Sequence, residues 1–477
     1  MSLSLSEYST LDATALAALI RSGEVDPDEV QAIARTAIES LNSSLNALAF
    51  PLADAVPSFN TNGPFGGVPF LAKDEGPHVG GFPWSGGSRY FDGQVAASDT
   101  EQISRARSAG LAILGSTATP EFSMSFATES RRRGITRNPW DLSRTPGGSS
   151  GGAAALVAAG GVPIAHATDG LGSIRIPASF CGLVGLKPTR GRTPQDVDGF
   201  SGAGYDFVLT RTLRDCALAL DTLAGPGRDA KYRIPAPMNS YLNALHEVKG
   251  SLRVGVATQT WNGVAVDPAA TEAALSVARE LESAGHIVDE VTLPIRPDAI
   301  RSAFTAVCGL SYLSMFIDAP VPPDRDSVEA VTLAGWREAR SMPSTELAAG
   351  LLEFDQIVRD LAAFFEQIDV LVTPTSTVPA FAHGTLNYDD PTQTLPSWLD
   401  TMFSVGAFTA PFNIGGQPAI SLPVGSGPGG LPIGVQLVAA SGREDLLFSL
   451  SAVIEQSFPW DGVRPPLTAG SKTPPPN

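Results

Sequence analysis

Apolar positions along the chain follow two periods in turn, and their alternation sets the expected fold. Leu16, Leu19 and Ile20, then Val30, Ile33, Ala34 and Ile38, recur at helical spacing. Residues 7–50 are therefore expected to be helical, with Pro27 opening the second helix. Residues 68–72 are a short apolar run, expected as a buried strand that ends at Lys73. Residues 99–110 read as a helix and 111–114 as a strand. Helical spacing returns over 209–223, followed by a strand at 252–256, a helix at 267–284 that Gly285 ends, and a strand at 287–293. Residues 297–367 read as largely helical, broken at Ala319-Pro-Val-Pro-Pro-Asp, and 369–374 as a strand. Strands alternating with helices predict an α/β fold built on a large sheet.

Composition narrows the class. The 477 residues are 43% hydrophobic and 17% charged, which is ordinary for a soluble protein with a large core. A formal net charge of −17 argues against nonspecific binding to nucleic acid or anionic membranes, which draws on basic patches. No apolar run reaches the roughly 18–20 residues that span a bilayer. The first thirty residues carry acids and lack the basic start of a signal peptide. Cys181, Cys216 and Cys308 show no metal-ligand spacing. A reduced, cytoplasmic protein is expected, with no nucleic-acid or membrane partner.

Candidate chemistry gathers in residues 145–190. Ser149 and Ser150 lie within Gly147-Gly148-Ser-Ser-Gly151-Gly152, and Ser173 ends Asp169-Gly170-Leu171-Gly172-Ser173, 24 positions after Ser149. Between them, residues 153–159 are small and favour helix. Glycines beside a serine let backbone N–H groups approach a ligand and face a developing oxyanion. A serine hydroxyl needs a base. The five histidines form no recognisable triad motif, although a triad assembles in space. A lysine serves if its amine is neutral, a fall of roughly 3 units from the usual value near 10.4, within reach of burial. Lys73 reads either as such a base or as a solvated strand-end charge.

Over tens of residues this stretch resembles the serine-rich signature of the amidase signature family. The run Gly-Val-Pro-Phe-Leu-Ala-Lys73-Asp resembles its lysine-bearing strand. Ser116-Thr-Ala-Thr-Pro-Glu-Phe-Ser123, Asn413-Ile-Gly-Gly-Gln-Pro and Leu431-Pro-Ile-Gly-Val-Gln436 resemble further blocks. The resemblance implies a large mixed, mostly parallel central sheet covered by helices on both faces. It also implies one domain over 1–477, with an N-terminal helical arm at 1–55, a signature core at 60–225, a helical substrate-side subregion at 297–367 and a flexible tail at 465–477. It makes Lys73 the base, Ser149 the bridging serine after a cis peptide, and Ser173 the nucleophile. The oxyanion hole is then formed by backbone N–H groups of Gly170, Leu171, Gly172 and Ser173, each such donor being worth about 2.7–4 kcal/mol of barrier. Ser123, Ser149 and Cys308 are the expected substrate contacts, although a buried cysteine is more often packing. Leu171 departs from the family's usual glycine and puts an apolar side chain beside the hole. This Gly-x-Gly-Ser form is similar to the branch containing nylon-oligomer hydrolases.

The implied activity is hydrolysis of a C–N bond other than a peptide bond, through an acyl-serine. The substrate is expected to be a small, partly apolar amide, a cyclic amide oligomer or a carbamate, with acidic rims favouring a cationic amine product. Two alternatives stand beside it. One is a glutamine-type amidotransferase component feeding ammonia to a partner, against which Ile176 leans. The other is a serine esterase, since Gly147-Gly-Ser149-Ser-Gly151 fits G-x-S-x-G but lacks a preceding strand. An inactive anion-binding scaffold is disfavoured by a lysine and both serines at the family's spacing. No phosphate loop or His-Glu-x-x-His motif occurs, so no cofactor and no metal are expected. Oligomeric state is open, with a homodimer allowed. The glycine-rich loop with Phe82, Trp84 and Tyr90 reads as a pocket flank or a surface turn, and Arg131 to Arg133 as a salt-bridged loop or an acid-binding rim.

Overall fold

Short apolar runs become the strands of one ten-stranded sheet. The computed structural model describes residues 3–195, 200–228, 230–247 and 250–471. In chain order the strands are β1 (Pro69–Lys73), β2 (Ala112–Thr117), β3 (Glu129–Ser130), β4 (Gly134–Ile135), β5 (Ile164–Thr168) and β6 (Val184–Lys187). Then come β7 (Asp206–Thr210), β8 (Arg253–Val256), β9 (Ile287–Glu290), β10 (Val370–Pro374), β11 (Ala419–Ser426) and β12 (Pro432–Ala439). Strands β3 and β4 pair alone; the others are ordered β2-β1-β5-β7-β6-β11-β12-β10-β8-β9.

The sheet is large and mixed, as expected, and its parallel pairs lie at its two ends. They join β2, β1 and β5 on one side and β10, β8 and β9 on the other. Every pair between these groups is antiparallel, which makes the sheet mixed. The cause is connectivity. Strands β5 and β6 are linked through helix Arg175–Cys181, but β7 enters between them in the opposite direction. The short turn between β11 and β12 makes a hairpin, which is antiparallel by construction.

Side-chain alternation divides the interior into two cores. Val370 and Val372 of β10 face one, and Leu371 faces the other; Ile420 and Leu422 of β11 oppose Ala419 in the same way. Helices Pro27–Leu45, Gly151–Ala158, Leu213–Leu223, Pro268–Ser283 and Glu444–Ser457 fill the first core. Helices Pro297–Met315, Ala330–Ser341, Ser344–Phe364 and Leu395–Gly406 fill the second. The sheet is thus covered on both faces.

Two boundaries differ from the sequence pattern. Helical spacing from residue 209 is overridden because residues 206–210 form β7, and the helix starts at Leu213 behind a Thr212 cap that accepts from the Asp215 N–H. The tail expected to be flexible is docked over 465–471: Leu467 and Ala469 are buried, and the Ala469 N–H donates to the Ala159 carbonyl at 2.8 Å. Residues 472–477 lie outside the described residues. Arg131 and Arg132 sit in ion pairs with Asp389 and Asp92, the salt-bridged form of that cluster. Among the described residues no helix is long and apolar enough to cross a membrane.

Candidate active site

Strand β1 ends at Lys73, which is only 1% exposed. Its amine donates to Ser149 Oγ at 2.7 Å and to Thr168 Oγ1 at 2.6 Å. Thr168 closes β5, the strand beside β1, so one sheet edge supplies both the amine and its second partner. Ser149 stands just ahead of helix Gly151–Ala158, and the Gly148–Ser149 peptide is cis, as the resemblance implies. A Cβ on Gly148 would lie 2.4 Å from the Ser125 carbonyl oxygen, so only glycine fits there. Ser150 ties the turn to β5 through 3.2 Å bonds with both the carbonyl and the N–H of Thr168. Burial pulls the Lys73 amine down to about 8, against the opposing pull of Glu75, Asp206 and Asp169. Near that pH a large share of the amine is neutral and can accept a proton.

The Ser173 loop hangs on a buried ion pair. The Asp169 carboxylate accepts from Arg175 Nε at 2.9 Å and Nη2 at 2.8 Å, from Asn413 Nδ2 at 2.9 Å and from the Ile174 N–H at 3.2 Å. Burial alone would raise the Asp169 carboxyl, but the Arg175 guanidinium and the Asn413 amide together outweigh it and hold the group below the usual range. Arg175 in turn donates to Gln436 Oε1 at 2.8 Å and to the Thr409 carbonyl at 3.0 Å. The Thr409 hydroxyl donates to the Leu171 carbonyl at 2.7 Å, turning the loop's backbone. Gly172 has φ +147°, and a Cβ there would meet Thr409 Oγ1 at 2.5 Å. The N–H groups of Gly170, Leu171, Gly172 and Ser173 find no acceptor among the described residues. Four undirected donors beside a serine are suited to a developing oxyanion.

The two serines line neighbouring chambers that share part of their walls. The smaller, about 30 Å³, is apolar and holds Ser173 with Met124, Leu171, Leu395, Trp398 and Met402. Cys308 and Tyr312 also line it. The larger, about 360 Å³, holds Ser149 and Thr168, and Ser123, Gly170 and Phe200 line both. Phe122 and Ser123 take the left-handed conformation, φ 50° and 59°, an unusual backbone for two adjacent side-chain-bearing residues. The Ser173 hydroxyl has no partner among the described residues, so the Ser149–Ser173 link of a proton relay is not closed; such contacts often tighten only with substrate bound.

The structure therefore brings together Lys73, Ser149, Ser173, the four loop donors, Ser123 and Cys308. Cys308 is a buried wall residue, its thiol pushed by burial up to about 12, which suits packing rather than nucleophilic attack. Trp84 lines the larger chamber, so the glycine-rich loop flanks the pocket. No histidine is hydrogen-bonded to Ser149 or Ser173 among the described residues. Sequence reasoning missed Thr168 and the buried set Arg175, Asn413 and Gln436. A usable signal was present: single polar residues set in otherwise apolar or glycine-rich runs. It also missed Glu75, Gln102 and Asp206 of the larger chamber, which carry no local pattern.

Comparison with known proteins agrees with this geometry. The sequence profile of the Amidase family matches residues 29–448. The 6-aminohexanoate-cyclic-dimer hydrolase of Paenarthrobacter ureafaciens is 36% identical, with 97% of each chain covered. An acylamidase of Rhodococcus erythropolis is 32% identical over 95% of this chain and 97% of its own. A solved structure of 6-aminohexanoate cyclic dimer hydrolase complexed with substrate superposes with a TM-score of 0.89 at 35% identity, covering 96% of this chain and 99% of that one. The chain belongs to the amidase signature family of hydrolases that act on C–N bonds.

Proposed function

We propose that this protein hydrolyses a compact, largely apolar amide, with a cyclic amide oligomer as the leading substrate class, through an acyl-Ser173 intermediate. The observation that carries this reading is the buried Lys73–Ser149 hydrogen bond, 2.7 Å long, with Ser149 on the chamber that adjoins the one lined by Ser173. Ser173 Oγ attacks the carbonyl carbon; its proton passes to Ser149, whose own proton passes to the Lys73 amine. The C–N bond then breaks as the proton returns through Ser149 to the leaving nitrogen. Water repeats the sequence on the ester, releasing the acid and restoring Ser173. The loop donors take the oxyanion in both halves.

The substrate class draws support from the similar cyclic-dimer hydrolases and from the apolar walls of the smaller chamber. A carbamate presents the same carbonyl and nitrogen leaving group and belongs in the same test. A glutamine-directed activity fits less well, because among the described residues no charged side chain lines the smaller chamber to hold an amino acid's ends. An esterase of the strand–turn–helix type is disfavoured, since residues 136–147 ahead of Ser149 contain no strand. The test incubates the protein and Ser173→Ala with the aminohexanoate cyclic dimer, a linear aliphatic amide, an anilide, an aryl carbamate and glutamine, reading free amine or ammonia. Release from the cyclic dimer or linear amide by the wild type, falling at least about a thousandfold in the variant, is expected. Release from glutamine alone, or equal release by the variant, would overturn the reading.

A further inference from the structure

The two chambers differ in chemistry, and the serines divide between them. Ser173 and Leu171 line only the smaller chamber, so an acyl group bonded to Ser173 lies among apolar walls. Ser149 and Thr168 line only the larger one, the side on which a proton is handed to the leaving nitrogen. The larger chamber is therefore the amine side, a statement that rests on the function proposed above.

That chamber has an acidic, aromatic lining. Glu75 and Asp206 are on its wall, and no Lys or Arg lines it among the described residues. Asp206 pairs with Thr168 across the β5–β7 ladder, and its Oδ1 lies 3.3 Å from where a Cβ on Gly76 would stand, so the two carboxylate-bearing segments adjoin. His166 Nε2 lies 3.3 Å from Asp206 Oδ1 without hydrogen-bond geometry. Trp84, stacked between His78 at 4.5 Å and Phe91 at 4.8 Å, forms an aromatic part of the same wall. The independent sign of a ligand is Gln102. It lines the chamber, is only 3% exposed, and neither its Oε1 nor its Nε2 has a partner. A buried amide left unpaired at a cavity wall costs stability unless a ligand completes it.

We infer that the larger chamber is a subsite for a cationic leaving group: the amide of an alkyl diamine, whose second, free amino group is held as an ammonium. The carboxylates of Glu75 and Asp206 supply charge, and the Gln102 carbonyl supplies an acceptor. A neutral alkylamine of equal length fills the space without using these groups.

The test is a matched pair, N-butylhexanamide and N-(4-aminobutyl)hexanamide, the second cationic at pH 8. Their kcat/KM ratio is read for the wild type and for Glu75→Gln/Asp206→Asn. Reading the ratio within each enzyme cancels any change in Lys73 titration caused by losing the carboxylates. The wild type is expected to favour the cationic amide at least about tenfold, and the double variant to bring the ratio close to one. Binding of both amides to Ser173→Ala, with and without the two carboxylate substitutions, should show the same preference and the same loss. A wild-type ratio near one, or a preference that survives the double substitution, overturns the inference while leaving amide hydrolysis intact. A charge preference in binding without turnover of either amide overturns the hydrolytic function and supports the subsite.

Discussion

Lys73 lies between two hydroxyls, and its titration decides when it can work. Only the neutral amine accepts a proton, so kcat/KM should rise with pH and level off above about 8, the value to which burial lowers this group. Because Glu75 pulls that value upward, Glu75→Gln should move the rise to lower pH; a profile flat from pH 6 to 9 would contradict a lysine base. Thr168→Val keeps the volume of the side chain but removes the acceptor 2.6 Å from the amine. A loss of about 10–100-fold in kcat with little change in KM is expected, measured by steady-state kinetics. Gly172→Ala forces a Cβ against Thr409 and displaces the loop donors; loss of about a hundredfold in kcat is the expected result.

Elements position these residues through contacts made far along the chain. Glu121 opens the turn that carries Ser123, and Glu329 directly precedes helix Ala330–Ser341; the Glu329 N–H donates to Glu121 Oε1 at 2.7 Å. Burial raises Glu121 to about 7, and burial with the neighbouring Glu121 raises Glu329 to about 8. Carboxyls raised on folding stabilise the folded state below their unfolded values, and that contribution fades as pH rises through about 7–8. Glu329→Gln keeps an acceptor for the Arg131 N–H and removes one titration, so its Tm should fall less than the wild type's between pH 6 and 8.5. Parallel Tm curves would contradict this.

Much of this level was legible in sequence. Helical spacing located the N-terminal helices and those within 209–223, 267–284 and 297–367, but not Leu395–Gly406 or Glu444–Ser457, and β1, β2, β8 and β10 announced themselves as apolar runs. Strands β5, β6 and β7 did not, because glycine, alanine and polar residues of the signature leave no clear period. Motifs located the two serines and the lysine. Thr168, Gln102 and Asp206 stayed hidden, since pairing across the sheet rather than neighbours in the chain brings them to the site.

The chain's far end also supports the site. Residues 465–471 fold back so that Ala469 bonds to Ala159, the end of the helix that begins just after Ser149 and Ser150. Truncation after Pro465 removes buried Leu467 and that backbone bond. It should cost about 2–3 kcal/mol, read as a lowered denaturation midpoint. The N-terminal arm reaches the same region, with the Tyr8 hydroxyl donating to the Gly161 carbonyl at 3.0 Å. Both ends thus brace the glycine-rich centre against one sheet edge.

A covalent acyl group on Ser173 is the most direct consequence of this arrangement. The protein would be mixed with a p-nitrophenyl alkanoate, quenched in acid within the first turnover, digested and mapped by mass spectrometry. A mass increase of one acyl group on the peptide containing Ser173, absent in Ser173→Ala and diminished in a Lys73 variant, is the expected result. Acyl transfer to Ser149 or Cys308 instead, or turnover with Ser173 unmodified in every quench, would contradict it.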